Sequence, residues 1–228
     1  MRTAKTVLTV IQERGKQKKP IERVYKLLFN RELYLNAYAK LYPNNGAMTK
    51  GVTDETVDGM SIQKIDRMIE ILREEKYQWK PARREYIKKK NGKKRPLGIP
   101  VWGDKVLQEV MRQILEAYYE PQFSEHSHGF RPNRGCHTAL QEIQVWKGTR
   151  WFIEGDISQY FDTIDHKILL EILARNIHDG RFIRLVSNML EAGYLEEWKF
   201  NQTISGVPQG GVISPILANI YLNEFDNW

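Results

Sequence analysis

Apolar residues recur at intervals of three and four along most of this chain, and that spacing predicts a helix-rich fold. From Ile21 to Leu41, Val24, Leu27, Leu28 and Leu35 share one helical face, with Tyr25, Tyr34, Tyr38 and Tyr42 interleaved. The tyrosines could serve as stacking platforms for bases, but helical spacing favours a core role. A second helix follows Ser61, a suitable cap, with Ile62, Ile65, Ile69 and Leu72 on one face and Trp79 and Pro81 closing the segment. Val106, Leu107, Val110, Ile114 and Leu115 mark a third, stopped by Pro121. Further helices are expected at about 136–146, 166–176 and 179–191, and a last one opens at Ser214-Pro215.

Three stretches break the helical rhythm. Residues 83–100 form two extended runs around Asn91-Gly92, a strong hairpin signal because both turn positions tolerate positive φ. Trp151-Phe152-Ile153 is a short apolar run that predicts a buried strand, and Tyr194 to about Ser205 predicts a second hairpin. Residues 43–59 are rich in Gly, Asn and Thr and predict a loop. The class expected is α+β, helix-rich with antiparallel hairpins, and no internal repeat interrupts it.

Composition narrows the setting. At 228 residues and 41% hydrophobic content the chain can bury a real core. No apolar run approaches a membrane span, the N-terminus lacks a signal-peptide core, and the single Cys136 excludes an internal disulfide, which together predict a cytoplasmic protein that uses no membrane. Charge is divided unevenly: residues 1–100 hold 24 Lys+Arg against 11 Asp+Glu, and residues 101–228 hold 11 against 17. A basic half joined to an acidic half points to a polyanion held at one end and metal-assisted chemistry at the other.

Candidate chemistry follows from these placements. Asp156 stands at the end of the predicted strand, where an acid suits either a divalent-metal ligand or an ordinary turn residue, while Asp162 and Asp165 suit turn and cap positions. Residues 1–20, with Arg14, Lys16, Lys18 and Lys19, form either a mobile tail or a short helix that docks on RNA. Eight of the 18 residues from 83 to 100 are Lys or Arg. Such a ribbon, with Lys88, Lys90, Lys93 and Lys94, can grip phosphates, or it can simply be solvated. His126 and His128 lack a further ligand at a familiar metal spacing, whereas Arg131 and Arg134, beside Gly129 and Gly135, suit phosphate or template contacts. In Gly206-Val207-Pro208-Gln209-Gly210-Gly211 the glycines allow backbone to approach a ligand closely and offer Gln209 beside it.

In chain order, Arg95-Pro96-Leu97-Gly98-Ile99-Pro100, His128-Gly129-Phe130-Arg131-Pro132, Gly155-Asp156-Ile157-Ser158-Gln159-Tyr160-Phe161-Asp162 and Pro208-Gln209-Gly210-Gly211-Val212-Ile213-Ser214-Pro215 resemble the blocks of bacterial group II intron-encoded reverse transcriptases that double as splicing maturases. The resemblance covers about residues 22–228 and implies a right-hand polymerase: a basic extension (1–20), fingers (21–145) and a partial palm (146–228). Matched by position, Asp156 resembles the first catalytic aspartate, with the Ile157 carbonyl as a neighbouring metal ligand. Phe161 resembles the gate against a ribose 2′-OH, and Gln209 the glutamine lying against the incoming nucleotide. Lys89, Arg95 and, more weakly, Arg83 resemble the residues holding its triphosphate. The implied cofactor is Mg²⁺, two ions, and the implied partners are structured intron RNA, an RNA template with a DNA primer, and dNTPs.

The family's Tyr-Ala-Asp-Asp block has no counterpart in the sequence, which contains no Asp-Asp pair. The expectation is therefore a fragment that keeps RNA binding and does not polymerise by itself. A non-catalytic RNA-binding splicing cofactor is the alternative, and a retron or abortive-infection type a weaker one. The block around Gly51-Val52-Thr53-Asp54 favours the intron class. Apolar residues Ile216, Leu217, Ile220 and Leu222 on the last helix are expected to lie open, leaving a homodimer available.

Overall fold

The computed structural model describes residues 2–88, 92, 94–207 and 210–228. Lys89, Lys90, Asn91, Lys93 and Gln209, all named above, lie outside the described residues.

The organising element is α4, Trp102–Tyr119, preceded in the chain by α1 (Ala4–Lys16), α2 (Arg31–Leu41) and α3 (Ile62–Arg73). Val106, Leu107, Val110, Met111, Ile114, Leu115 and Tyr118 of α4 are fully buried. α1 and α2 pack along it, and so does the last helix, α9 (Ser214–Asp226). Two of the sequence expectations change here. Residues 4–16 are an integral helix: Thr3 caps it, Ala4 and Ile11 are buried, and a Cβ on Gly15 would collide with the Tyr118 carbonyl. The helix expected over 21–41 is interrupted. A two-residue strand (β1, Ile21–Glu22) and a 3-10 segment (Val24–Phe29) precede Asn30, whose side chain accepts from the Glu32 N–H and starts α2. Asn30 competes for local backbone in this way and so favours a cap over a helix interior.

Tyr25 and Tyr34 are core residues, as helical spacing suggested, and their hydroxyls donate to the Leu72 and Leu28 carbonyls. Tyr42 is exposed. Ser61 caps α3 by accepting from the Lys64 N–H, and Asp165 caps α7 (His166–Asn176) by accepting from the Ile168 N–H. Asp179, cap of α8 (Gly180–Leu190), also accepts from the Tyr25 N–H at 2.9 Å, beside a parallel bridge between β1 and β4 (Ile177–His178).

The second sheet has the order β3-β2-β5-β6, built from β2 (Ala82–Lys88), β3 (Lys94–Ile99), β5 (Tyr194–Glu196) and β6 (Lys199–Asn201). Both expected hairpins are present, and β2 joins them by pairing in parallel with β5. The expected strand at 151–153 is absent. Trp151, Phe152 and Ile153 are 86%, 67% and 93% exposed, in irregular backbone, because among the described residues no strand lies alongside to complete their hydrogen bonds. On α9, Ile216, Leu217 and Ile220 are buried against the core and Leu222 is half-buried, contrary to the expected open patch; the exposed apolar residue of the helix is Phe225, with Trp228 just beyond its end.

Candidate nucleotide-binding site

Four parts of the chain meet around a cleft of about 690 Å³: Ile87, Lys88, Arg95 and Leu97 from the β2–β3 hairpin, Phe130 from a loop, Phe161 from a short helix, and Gly210, Gly211, Ser214 and Pro215 leading into α9. Phe161 sits in the single-turn α6 (Tyr160–Thr163), edge-on to Phe130 at 6.3 Å and to Tyr160 at 5.8 Å. Its ring is thus fixed as a wall. Lys88 and Arg95 bring positive charge, and the N-terminal end of the 13-residue α9 adds the positive pole of its dipole. An anionic ligand with a flat apolar part suits such a lining.

The glycine-rich segment is held from several sides. Its Gly206 and Val207 N–H groups donate to the Ile164 and Phe161 carbonyls (2.8 and 2.7 Å), and a His166 ring nitrogen meets the Gly206 carbonyl at 2.7 Å. Gly210 has φ +106°, and a Cβ there would come within 2.6 Å of Leu97 and 2.8 Å of the Gly98 carbonyl. Only glycine lets this backbone lie against β3. Behind it, buried Gln108 of α4 accepts from the Val212 N–H at 2.9 Å.

Gln108 belongs to a polar row that sequence reasoning missed. Asp104 accepts from the Tyr77 hydroxyl (2.6 Å) and the Lys80 N–H (3.0 Å), and Lys105 donates to the Gly46 and Thr49 carbonyls (3.2 and 3.0 Å). α4 thereby ties down three loops, at 46–49, 77–80 and 210–212. Burial pushes the Asp104 carboxyl up to about 6, against the lowering influence of Tyr77 and Lys80. Burial likewise lowers the Lys105 ammonium. The available signal was polar residues inside an otherwise apolar helical face, which in a core must each meet a partner.

Sequence-predicted residues divide into those the cleft gathers and those it does not. Arg95 and Phe161 line it, and Lys88, expected to bind RNA, joins them. Arg83 turns elsewhere: its Nε and Nη2 donate to the Lys50 carbonyl at 3.0 and 2.9 Å, and Nη1 pairs with Glu85, so it fastens the 46–51 loop. Arg131 turns inward as well. Its guanidinium is buried, paired with Glu120 at 2.9 Å and donating to the Ser124 and Ser127 carbonyls, so internal acceptors replace the expected template contact. Arg134 donates to the Glu125 carbonyl. His126 and His128 both hold Glu142, His128 at 2.8 Å, and these contacts lower the Glu142 carboxyl. Arg14, Lys16, Lys18 and Lys19 remain exposed, with Arg14 donating to the Pro20 carbonyl and Lys16 paired with Glu13; Lys94 is exposed on β3.

Asp156 is exposed in the irregular segment, followed by Ile157. Among the described residues no group of three or more His, Cys, Asp or Glu side chains is placed to hold a metal ion. One carboxylate and one carbonyl do not make the two-ion centre that the resemblance implies.

Residues 87–228 match the family model described as reverse transcriptase (RNA-dependent DNA polymerase). The chain is 51% identical over 208 residues to the group II intron-encoded protein LtrA of Lactococcus lactis subsp. cremoris, covering 90% of this chain and 35% of that protein. A 91 kDa protein in the cob intron of Schizosaccharomyces pombe is 47% identical, with 99% of this chain and 29% of that protein covered. The chain therefore spans about a third of the length of these relatives. A solved chain of a partial Cas6-RT-Cas1–Cas2 complex superposes with a TM-score of 0.59 at 20% identity, covering 90% of this chain and 34% of that one, which shows a shared α+β fold. With the family model matching well over half of its length, the chain belongs to the reverse transcriptase (RNA-dependent DNA polymerase) family.

Proposed function

We propose that this chain is the nucleotide-holding and RNA-contacting part of a group II intron reverse transcriptase that also serves as a splicing maturase. The observation that carries the reading is the cleft in which Lys88, Arg95, Phe161 and the Gly210-Gly211 backbone converge. Cations and the α9 N-terminus receive a triphosphate, the Phe161 ring closes the side a ribose occupies, and Gly210 admits the substrate close to backbone. Residues 21–145 then correspond to fingers and 146–228 to part of a palm, and the whole protein takes an RNA template, a DNA primer and dNTPs in the cytoplasm.

Reverse transcriptases use a divalent metal; Mg²⁺, as a pair, is the proposed ion here, with Asp156 and the Ile157 carbonyl among its ligands. Because residues 1–228 offer one carboxylate at that place, the chain by itself is expected to bind substrate without extending a primer. Two assays test this. A fluorescent dNTP should bind the purified chain, and Arg95→Ala should weaken binding about tenfold, as loss of a charge-assisted contact does; no triphosphate binding would sink the proposal. Primer extension with Mg²⁺ should give no product, and product formation would contradict the incomplete donor set.

Binding of structured intron RNA is supported by the basic first hundred residues and by exposed Lys18 and Lys19. It should fall by several log units per log unit of added salt. A flat salt dependence would argue against it.

A further inference from the structure

Phe130 is costly where it stands. Its side chain is 70% exposed, and its backbone has φ +55°, in the left-handed region that a bulky residue rarely adopts. Neither burial nor relaxed backbone accounts for such a placement, which persists only where the surroundings impose it. Here they impose it from both sides. The Asn219 amide on α9 donates to the Gly129 carbonyl at 2.8 Å. His128 meets Thr138 through one ring nitrogen and Glu142 through the other, each at 2.8 Å. Beyond Phe130, the buried Arg131 guanidinium is spread over Glu120 and the Ser124 and Ser127 carbonyls. Residues 128, 129 and 131 are anchored in this way, and Phe130 between them is left lining the nucleotide cleft. The ring it meets there is Phe161, at 6.3 Å and 86°, an edge-to-face contact. Phe161 is half-buried, and its carbonyl accepts from the Val207 N–H at 2.7 Å. Its other aromatic neighbour, Tyr160, is itself fixed by donating to the Ala218 carbonyl at 2.7 Å. Without Phe130, the Phe161 ring would have one aromatic neighbour and room to turn.

We infer that Phe130 is a positioning residue for sugar selection: its ring holds Phe161 in place on the ribose side of the cleft, so that a 2′-hydroxyl is turned away. The inference rests on the reading of the cleft as a dNTP site walled by Phe161 and adds the residue that keeps the wall in position. Rejection by a wall depends on its stiffness, because a ring that can turn aside admits one more oxygen. The strained backbone of Phe130 and its three anchored neighbours supply that stiffness. A merely structural role for Phe130 predicts equal losses for both kinds of nucleotide. Stacking of Phe130 on the base predicts the same, since dATP and ATP carry the same adenine.

The test is competition of dATP and ATP against a fluorescent dNTP on the purified 228-residue chain, read as the ratio of the two affinities. The unaltered chain should prefer dATP. Phe130→Ala should lower that preference about fivefold, the scale of an aromatic edge contact, and Phe130→Tyr, which keeps the ring, should restore it. Phe130→Gly should lose the preference likewise yet melt at a higher temperature than Phe130→Ala, because glycine accepts the left-handed backbone; its loss cannot then be laid to poor folding. Phe161→Ala should abolish the preference, and adding Phe130→Ala to it should change nothing more, because the two residues act as one. An unchanged ratio in Phe130→Ala, or equal losses for both nucleotides, would overturn the inference and leave the nucleotide cleft standing. A further change of the ratio on top of Phe161→Ala would overturn it as well, by showing that Phe130 acts without Phe161. Triphosphate binding with no preference in the unaltered chain would overturn both Phe161 as a wall and this inference. Absence of any triphosphate binding would overturn the reading of the cleft itself.

Discussion

Two stretches of similar apolar content meet opposite fates. Helix α4 buries seven side chains completely, whereas residues 136–157 leave Leu140, Val145, Trp151, Phe152 and Ile153 each more than half exposed. The difference is one of neighbours. α4 is covered on several sides by α1, α2 and α9. α5 (Cys136–Gln144) has no buried residue at all, and among the described residues the run after it has no strand to lie beside. An apolar residue stabilises only where something covers it, so the same residue types carry the fold in one stretch and contribute little in the other.

Substitutions can break or sharpen this contrast. The largest effect should come from Leu107→Ala, which empties a fully buried site in α4 and should cost about 3–4 kcal/mol in denaturant unfolding. A loss below about 1 kcal/mol would mean that α4 is not the centre of the core. Next is Asp104, whose carboxyl burial raises to about 6 from 3.8. A raised folded-state value means the native state holds the proton more tightly, so this stabilisation is full below pH 3.8 and is lost as pH rises through 6. Across that window it amounts to about 3 kcal/mol. Asp104→Asn removes the titration, so the gap in stability between variant and unaltered chain should shift toward the variant by that amount between pH 4 and 7. A gap that stays constant with pH would refute the burial argument.

Gln108→Leu should cost less, about 1–2 kcal/mol, by stranding the Val212 N–H. It should also weaken dNTP binding, because Val212 follows the glycines of the cleft; Gln108→Glu keeps an acceptor and should restore most of that affinity. Trp151→Ala should sit at the bottom of the scale, within about 0.5 kcal/mol of the unaltered chain. A larger loss would show that residues 151–153 are covered in solution.

The same contrast explains what could be read from sequence. Helix boundaries were legible wherever a cap declared itself, as at Ser61 and Asp165, and both hairpins followed from alternation and turn chemistry. The strand at Trp151 was misjudged because an apolar run states only a need for burial, while pairing depends on residues far away in the chain. Arg95 and Phe161 were placed together through their resemblance to ordered blocks. Arg83 and Arg131 turn to backbone carbonyls, which sequence does not show, because an arginine beside glycine or in a basic run looks the same whether its donors meet a phosphate or a carbonyl. The polar row on α4 was overlooked, since its partners, Lys80, Gly46, Thr49 and Val212, lie 24 to 104 residues away.

The bridge between β1 and β4 bears on how the molecule is made. Ile21 pairs with Ile177, and the Tyr25 N–H waits for Asp179, 154 residues further on. A contact of that span closes a long loop, and its entropy is spent before the bridge can form. During synthesis residues 21–25 must therefore wait for β4 and Asp179 to emerge before this bridge can close. The basic helix α1, which packs on α4, can dock before that far partner arrives.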